Sequence, residues 1–279
     1  MPNNTTTKLA TSQRPFLVGS LFSGIGGLDL GLERAGMTIA FQSEIDPYAS
    51  AVLRKHWPDT PNLGDCTRIA DAPPVDLLCG GFPCTNLSAC SKATRTGLSG
   101  PESGLFYEFA RIAALLQPRW LLIENVSSVS REFAAIQQHL GGWHLARKSL
   151  CGLDFGAYTR RKRTFIVGHP RAGSAEEVLA KCVGGATPLG SGGVQDVAPM
   201  CLPWKGGPTL ERLGACLLVD SQADSAGVRE GDGVSRRLDS RRWLAVGNAV
   251  VPQVAEAIGR MIMEVDRYSR KAQRANARV

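Results

Sequence analysis

An α/β fold with a mostly parallel sheet is what this 279-residue chain predicts, and three observations carry the expectation. Short apolar runs at Phe16–Phe22, Val75–Cys79 and Trp120–Ile123 have the length and composition of strands buried on both faces. Each run gives way at its end to residues suited to chemistry rather than packing: a glycine-rich turn, a Pro-Cys loop and an acid. Between the runs lie stretches with helical spacing that end at glycine or proline. Open α/β sheets place ligands just beyond the carboxyl ends of their strands, so function is expected at those three ends.

Composition narrows the field. A hydrophobic share of 43% beside 20% charged residues is that of a soluble globular protein. No run of eighteen apolar residues occurs, and the polar stretch 1–14 is expected to be a flexible tail, neither signal peptide nor membrane anchor. Eight cysteines form no Cys-x-x-Cys pair, and the four histidines join none of them at metal-ligand spacing. Free thiols in a reducing cytoplasm, and no metal, are therefore expected. The formal charge of +7 permits a nucleic-acid partner without requiring one.

The first run enters the turn Phe22-Ser23-Gly24-Ile25-Gly26-Gly27, and a helix over Leu28–Ala35 should follow, stopped by Gly36. Glycines there let the backbone approach a ligand closely. Asp29 occupies the place of the third glycine of the dinucleotide fingerprint, which argues against a pyrophosphate site. A second strand over Met37–Ser43 closes on Glu44, placed to accept hydrogen bonds from ribose hydroxyls. Asp46 should cap a helix over Pro47–Trp57. In Gly64-Asp65-Cys66-Thr67, Asp65 suits either an exocyclic amine or a plain turn.

The run at 75–79 leads into Gly80-Gly81-Phe82-Pro83-Cys84-Thr85-Asn86-Leu87-Ser88. Paired glycines allow a sharp turn, and Pro83 stiffens the step before the sulfur. Cys84 is the candidate nucleophile; a buried structural cysteine is the alternative. Residues 89–103, rich in Ser, Thr and Gly and carrying Lys92 and Arg95, read as a loop that closes over a pocket. A helix over 104–116 is expected to bury Leu105, Phe109, Ile112 and Leu116. The strand Trp120–Ile123 then runs into Glu124-Asn125-Val126. A carboxylate ending so apolar a strand should have a pKa raised by desolvation, as suits a proton donor.

Helix 131–140 and strand 143–150 complete another unit, after which Arg160-Arg161-Lys162-Arg163 open an extended segment. Extended backbone puts Arg161 and Arg163 on one face and Arg160 and Lys162 on the other, a set fit for phosphate or base contacts. From 171 to 240 the pattern loosens into a small loop-rich domain. Arg236, Arg237, Arg241 and Arg242 flank the return, a helix runs on to about Tyr268, and a basic tail over 269–279 is expected to fray.

With these segments in order, the chain resembles the cytosine-C5 DNA methyltransferases. The likeness rests on Phe22-Ser23-Gly24-Ile25-Gly26-Gly27, Glu44, Gly64-Asp65, Gly-Phe-Pro-Cys, Glu124-Asn125-Val126, Arg161-x-Arg163 and Gly247-Asn248-Ala249-Val250. It covers roughly 16–170 and 241–265, and Pro-Cys with Glu-Asn-Val is its most specific part. The resemblance implies a Rossmann-like fold over 15–170 that binds S-adenosyl-L-methionine as co-substrate. It implies a small target-recognition domain over 171–240, and a segment over 241–268 returning to the catalytic domain.

On that footing Phe22 packs on the adenine beside Ser23, Gly24, Ile25, Gly26 and Gly27. Glu44 holds the ribose, and Asp65 accepts from the adenine amine. Ile45 supplies aliphatic packing where relatives often have an aromatic. Cys66, Pro83, Leu105, Asn248 and Ala249 complete the pocket. Cys84 attacks C6 of a flipped-out cytosine, Glu124 acts at N3, Arg163 contacts O2, and Arg161 lies near the thiol and phosphates. Ser88, Lys92, Arg95, Arg160, Lys162, Arg236, Arg237, Arg241 and Arg242 are the expected DNA contacts.

Thr159 stands where relatives usually have Gln, and no motif bracing the recognition domain is legible over 209–240. Double-stranded DNA is the expected partner, read as a short, G- and C-rich site of two to four base pairs. A cognate restriction endonuclease, a monomeric state, and a prokaryotic or phage origin are further expectations. The alternatives are the same chemistry on tRNA and a non-catalytic DNA-binding homologue. A nicotinamide oxidoreductase would leave Pro-Cys and Glu-Asn-Val without a role.

Overall fold

A computed structural model describes residues 14–83, 104–157, 159–183 and 245–276. Its sheet has six strands: β1 (Leu17–Leu21), β2 (Thr38–Ser43), β3 (Leu77–Gly80), β4 (Trp120–Asn125), β5 (His144–Cys151) and β6 (Lys162–His169). Their order is β2-β1-β3-β4-β6-β5. β1, β2, β3 and β4 run parallel, whereas β6 enters antiparallel between β4 and β5. This is the α/β architecture of the S-adenosylmethionine-dependent methyltransferase fold. A parallel bridge between Gln42 and Asn62 extends the β2 edge by one pairing.

The helices are α1 (Gly27–Arg34), α2 (Pro47–His56), α3 (Gly104–Leu116), α4 (Phe133–His139), α5 (Ser174–Lys181) and α6 (Pro252–Asn276). They cover both faces of the sheet, and strand side chains alternate accordingly. Leu77, Cys79, Trp120, Leu122, Phe165 and Val167 join α1, α5 and α6 in one core. Leu78, Leu121, Ile123 and Ile166 join α3 and α4 in the other. Both faces being buried explains why the central strands read as unbroken apolar runs.

Sequence order reverses around β1, which has β2 on one side and β3 on the other. A crevice at such a switch point is where doubly wound sheets hold ligands. Asp46 caps α2 as expected, its Oδ1 accepting from Ala49 N at 2.8 Å. Three expectations need correction. The buried face of α3 is Phe106, Phe109, Ile112 and Ala113, so Leu105 and Leu116 are only half-buried. The helix placed at 131–140 begins as a 3-10 turn over Ser127–Glu132 before α4.

The third concerns the basic end of the chain. α6 does not stop near Tyr268 but continues to Asn276. Arg270 pairs with Asp266 one turn earlier at 2.7 Å, and 269–276 contains no glycine or proline to end the helix. Asp266 also accepts from Trp120 Nε1 at 3.2 Å and pairs with Arg119, which reaches Asp76 at 2.8 Å. The network ties α6 to the amino-terminal edge of β3 and β4. Among the described residues no helix is long and apolar enough to cross a membrane.

Candidate active site and cofactor pocket

The first half of the candidate site is built at the ends of β1 and β2. Phe22 leaves β1 with φ 54°, a left-handed conformation rare for an aromatic residue and a form of strain found at ligand sites. The chain then turns through Ser23, Gly24, Ile25 and Gly26, with Gly26 N donating to Ser23 O at 2.9 Å. Gly26 has φ 84°, and a Cβ there would lie 2.4 Å from the Trp57 ring. Only glycine fits. A Cβ on Gly27 would lie 2.5 Å from Val250 O, so the segment following the 245–248 helical turn rests directly on the glycine turn. The far end of the chain thus reaches the first strand, with Asn248 exposed and Ala249 half-buried beside it.

Glu44 follows β2. Its Oε2 accepts from Gly24 N at 2.8 Å and its Oε1 from Asp46 N at 2.8 Å. Asn62 fixes its backbone, accepting from Glu44 N at 3.0 Å and donating to Glu44 O at 3.1 Å. Ile45 beside it is 70% exposed. Asp65 caps the short turn Cys66–Arg68, with Oδ1 accepting from Thr67 N at 3.0 Å and Thr67 Oγ1 at 2.8 Å. These hydrogen bonds hold its carboxyl below the usual range. Arg111 on α3 steadies that turn by donating to Cys66 O at 3.0 Å and Ile69 O at 2.8 Å.

Below the turn lies a buried polar group that only Asp29's anomalous place in the sequence hinted at. Asp29 Oδ2 accepts from Ser20 Oγ at 3.0 Å and Oδ1 from Gln42 Nε2 at 2.8 Å. Ser23 Oγ donates to Ser20, and Ser23 N reaches Ser43 O at 3.2 Å. Burial pushes the Asp29 carboxyl up to about 6, against the lowering effect of those two hydrogen bonds.

The second half stands at β3, β4 and β6. Glu124, next to last in β4, is 6% exposed. Burial raises its pKa, while Arg161 and Arg163 oppose the rise. Its Oε1 lies 3.3 Å from Arg163 Nε, yet accepts no hydrogen bond from a described residue. The antiparallel run of β6 produces this meeting. Phe165 pairs with Glu124 and Thr164 with Asn125, so the cations that open β6 arrive at the carboxyl edge of the parallel strands.

Arg161 donates to Gly247 O, linking this half to the segment at 245–250. Arg160 and Lys162 are exposed, whereas Arg161 and Arg163 are half-buried, matching the expected division of faces. Only Lys162 and Arg163 belong to the strand; Arg160 and Arg161 precede it.

β3 ends at Gly80 beside the same acid. A Cβ on Gly81 would come within 3.0 Å of Glu124 Oε2. Asn125 Nδ2 donates to Phe82 O at 3.1 Å, and Phe82 packs on Phe106 at 5.5 Å. The backbone is thus fixed through Pro83, where the described residues pause. Cys84, Ser88, Lys92, Arg95, Arg236, Arg237, Arg241 and Arg242, with the expected recognition domain over most of 171–240, lie outside them. Among the described thiols, burial pushes Cys66 and Cys182 up to about 11 and Cys79 well above its usual value. None of these three offers a ready thiolate. No group of three metal-ligating side chains occurs among the described residues.

A glycine turn after β1, an acid after β2 and a second, buried acid near the end of β4 stand at the carboxyl edge of an α/β sheet, where such sheets hold ligands. The family model of C-5 cytosine-specific DNA methylases matches residues 16–181, and the chain belongs to that family. It is 38% identical over 157 residues to the type II methyltransferase M.NgoBI of Neisseria gonorrhoeae, covering 53% of this chain and 49% of that one. To M2.BsuMI of Bacillus subtilis (strain 168) it is 40% identical over 162 residues, covering 54% and 41%. To M.HgiBI of Herpetosiphon aurantiacus it is 35% identical over 158 residues, covering 53% and 36%. The matches span less than half the length of these relatives.

Proposed function

We propose that the protein is a DNA (cytosine-5-)-methyltransferase that uses S-adenosyl-L-methionine and forms a covalent bond between Cys84 and C6 of the target base. The observation that carries the reading is the buried Glu124. It faces Arg163 and lies against the backbone of Gly81, three residues before the candidate nucleophile. The description of the family, C-5 cytosine-specific DNA methylase, favours DNA over RNA. Phe22, Glu44 and exposed Ile45 fit an adenosine group: an aromatic follows β1, a carboxylate and an apolar side chain follow β2, and Gly24, whose N–H donates to Glu44, has open space beside it. When bound, the cofactor supplies an electrophilic methyl group on a cationic sulfur.

C5 of cytosine is a weak nucleophile until C6 is attacked. In this reading the Cys84 thiolate adds to C6, and Glu124 delivers its proton, or a hydrogen bond, to N3. Burial favours the protonated form of the acid, against the opposing effect of Arg161 and Arg163, and Arg163 holds the base through O2. C5 would take the methyl group as its bond to the donor sulfur breaks, leaving a neutral thioether; a base would remove the C5 proton, the C6–sulfur bond would break to release Cys84, and N3 would return any proton it received to Glu124. The target ring is unreachable inside a duplex, so the base must leave the stack. The loop at 89–103 and the exposed Arg160 and Lys162 serve the DNA, with Ser88, Lys92, Arg95 and the four arginines at 236–242. A cytoplasmic, prokaryotic setting and a partner restriction endonuclease follow from the same reading.

The test is a trap. DNA carrying 5-fluorocytosine cannot lose its C5 substituent, so it should form a denaturation-resistant adduct that maps to Cys84. Cys84→Ser should form none. An adduct on another cysteine, or a Cys84→Ser enzyme retaining about a tenth of wild-type turnover, would overturn the assignment.

A further inference from the structure

Asp29 is a buried acid for which the reaction above has no use. It is fully buried, its oxygens accept from neutral groups, those of Ser20 and Gln42 and its own backbone N–H, and no cation among the described residues pairs with it. A buried carboxylate without a counter-ion is costly, and such costs concentrate where a ligand's charge offsets them. Its place is specific. Asp29 lies in the first turn of α1, two residues after Gly27. Two hydrogen bonds, through Ser20 Oγ to Ser23 Oγ, connect it to the turn that opens the cofactor pocket.

We propose that Asp29 is the counter-charge for the cationic methyl donor, so that the pocket prefers the sulfonium to the neutral thioether left after transfer. The inference rests on the cofactor reading above. It goes beyond that reading by naming the group that separates substrate from product. Donor and product share adenosine, amino and carboxylate groups, and differ by the methyl group and one positive charge. A charge buried in the protein is screened less by solvent and salt than one at the surface, so it can act on the ligand without touching it. Preference for the charged form would ease product release.

Isothermal titration calorimetry with S-adenosylmethionine and S-adenosylhomocysteine tests the proposal on the full chain at pH 7.5. Asp29→Asn keeps the volume and removes the charge. The donor should bind about tenfold more weakly, and the product within about twofold of wild type. Equal weakening of both ligands would show that Asp29 only braces the turn, and would overturn the proposal. Unchanged donor binding would do the same. Wild-type protein that binds neither ligand would overturn the cofactor reading itself.

Should Asp29→Asn fail to fold, the wild-type protein still decides. The ratio of donor to product affinity should fall as pH drops through about 6, where Asp29 takes up its proton. The other titratable groups near Asp29 are Glu33 on α1, also raised by burial, and Cys79 on β3, whose raised thiol stays neutral. From β1 and β2 the neighbours are Ser20 and Gln42, which do not titrate. The pH dependence of the ratio should therefore persist in Glu33→Gln and in Glu124→Gln. A flat ratio, or one that loses its dependence in either variant, would overturn the proposal.

Discussion

Glu44 and Glu124 each stand at the carboxyl end of a parallel strand, one beside β1 and the other across the switch point beside β3. Glu44 is half-buried, and backbone N–H groups of Gly24 and Asp46 donate to its two oxygens. Glu124 is buried, its Oε1 accepts no hydrogen bond from a described residue, and that oxygen faces Arg163 at 3.3 Å. Burial favours the protonated form of Glu124, while Arg161 and Arg163 oppose it. One sheet edge therefore delivers the same residue type to two environments, which the proposed reading uses as an acceptor for a ligand's hydroxyls in one half and as an acid in the other.

The largest expected effect breaks the second half. Glu124→Gln should lower kcat by about a hundredfold or more, the ordinary weight of a positioned general acid, with little change in KM for the cofactor. The pH profile should change with it. Burial lifts the Glu124 pKa, so activity requiring its proton declines as pH rises through that raised value. Glutamine has no such limb, and its profile should stay flat there. The stability contribution has the same sign. The native state holds the proton to higher pH than the unfolded chain, so the contribution is full below the ordinary glutamate range and lost as pH rises. Wild-type and variant rates across pH 5–9 test this; a variant keeping the wild-type profile would sink the role.

Glu44→Ala should do the reverse. Losing a charged acceptor should raise KM for S-adenosylmethionine by about tenfold, with kcat at saturation near wild type. If both variants moved kcat and KM alike, the contrast between the two halves would be wrong.

Much of this contrast was legible before any coordinates. Glu124 was legible because Trp120–Ile123 is so apolar that an acid at its end must be buried, and Glu44 because it follows a strand after a glycine turn. The meeting of Glu124 with Arg163 was not. It depends on β6 running antiparallel beside β4, and a strand's neighbour and direction are set by tertiary pairing rather than by its own residues. Asn62 and Asn125 escaped notice as braces because an asparagine's hydrogen-bond partner cannot be inferred from its neighbours in sequence. The buried face of α3 was misplaced by Leu105 and Leu116, which have the right spacing but sit at the margins of the apolar stripe. The end of α6 was misread because basic composition resembles a tail until Asp266 and Asp76 supply partners.

A smaller effect tests how the C-terminal segment completes both halves. Gly27→Ala would put a methyl group against Val250 O, a backbone atom that can move only with the whole 245–250 segment. Overpacking of this kind costs about 1–3 kcal/mol. A lowered melting temperature should come with a raised KM for the cofactor, because Asn248 and Ala249 would shift with the segment. Lost stability at unchanged KM would mean that the segment packs on the pocket without contributing to it.

The smallest effect concerns the two faces of the segment that opens β6. Arg160 and Lys162 are exposed, while Arg163 turns inward to Glu124. Outward cations on this stretch should meet phosphates, which position a duplex without reading its sequence. Arg160→Ala and Lys162→Ala should each weaken DNA binding to a similar degree for all sequences. Each should flatten the dependence of log K on log salt by about one unit, since each phosphate contact releases roughly one counterion. Arg163→Ala should leave the salt slope nearly unchanged and act on turnover instead. Fluorescence anisotropy between 50 and 200 mM salt, roughly the range over which such slopes are resolved, separates the two. An Arg163→Ala slope as flat as those of its neighbours would place Arg163 on the backbone of the DNA, and would leave Glu124 without its partner at the base.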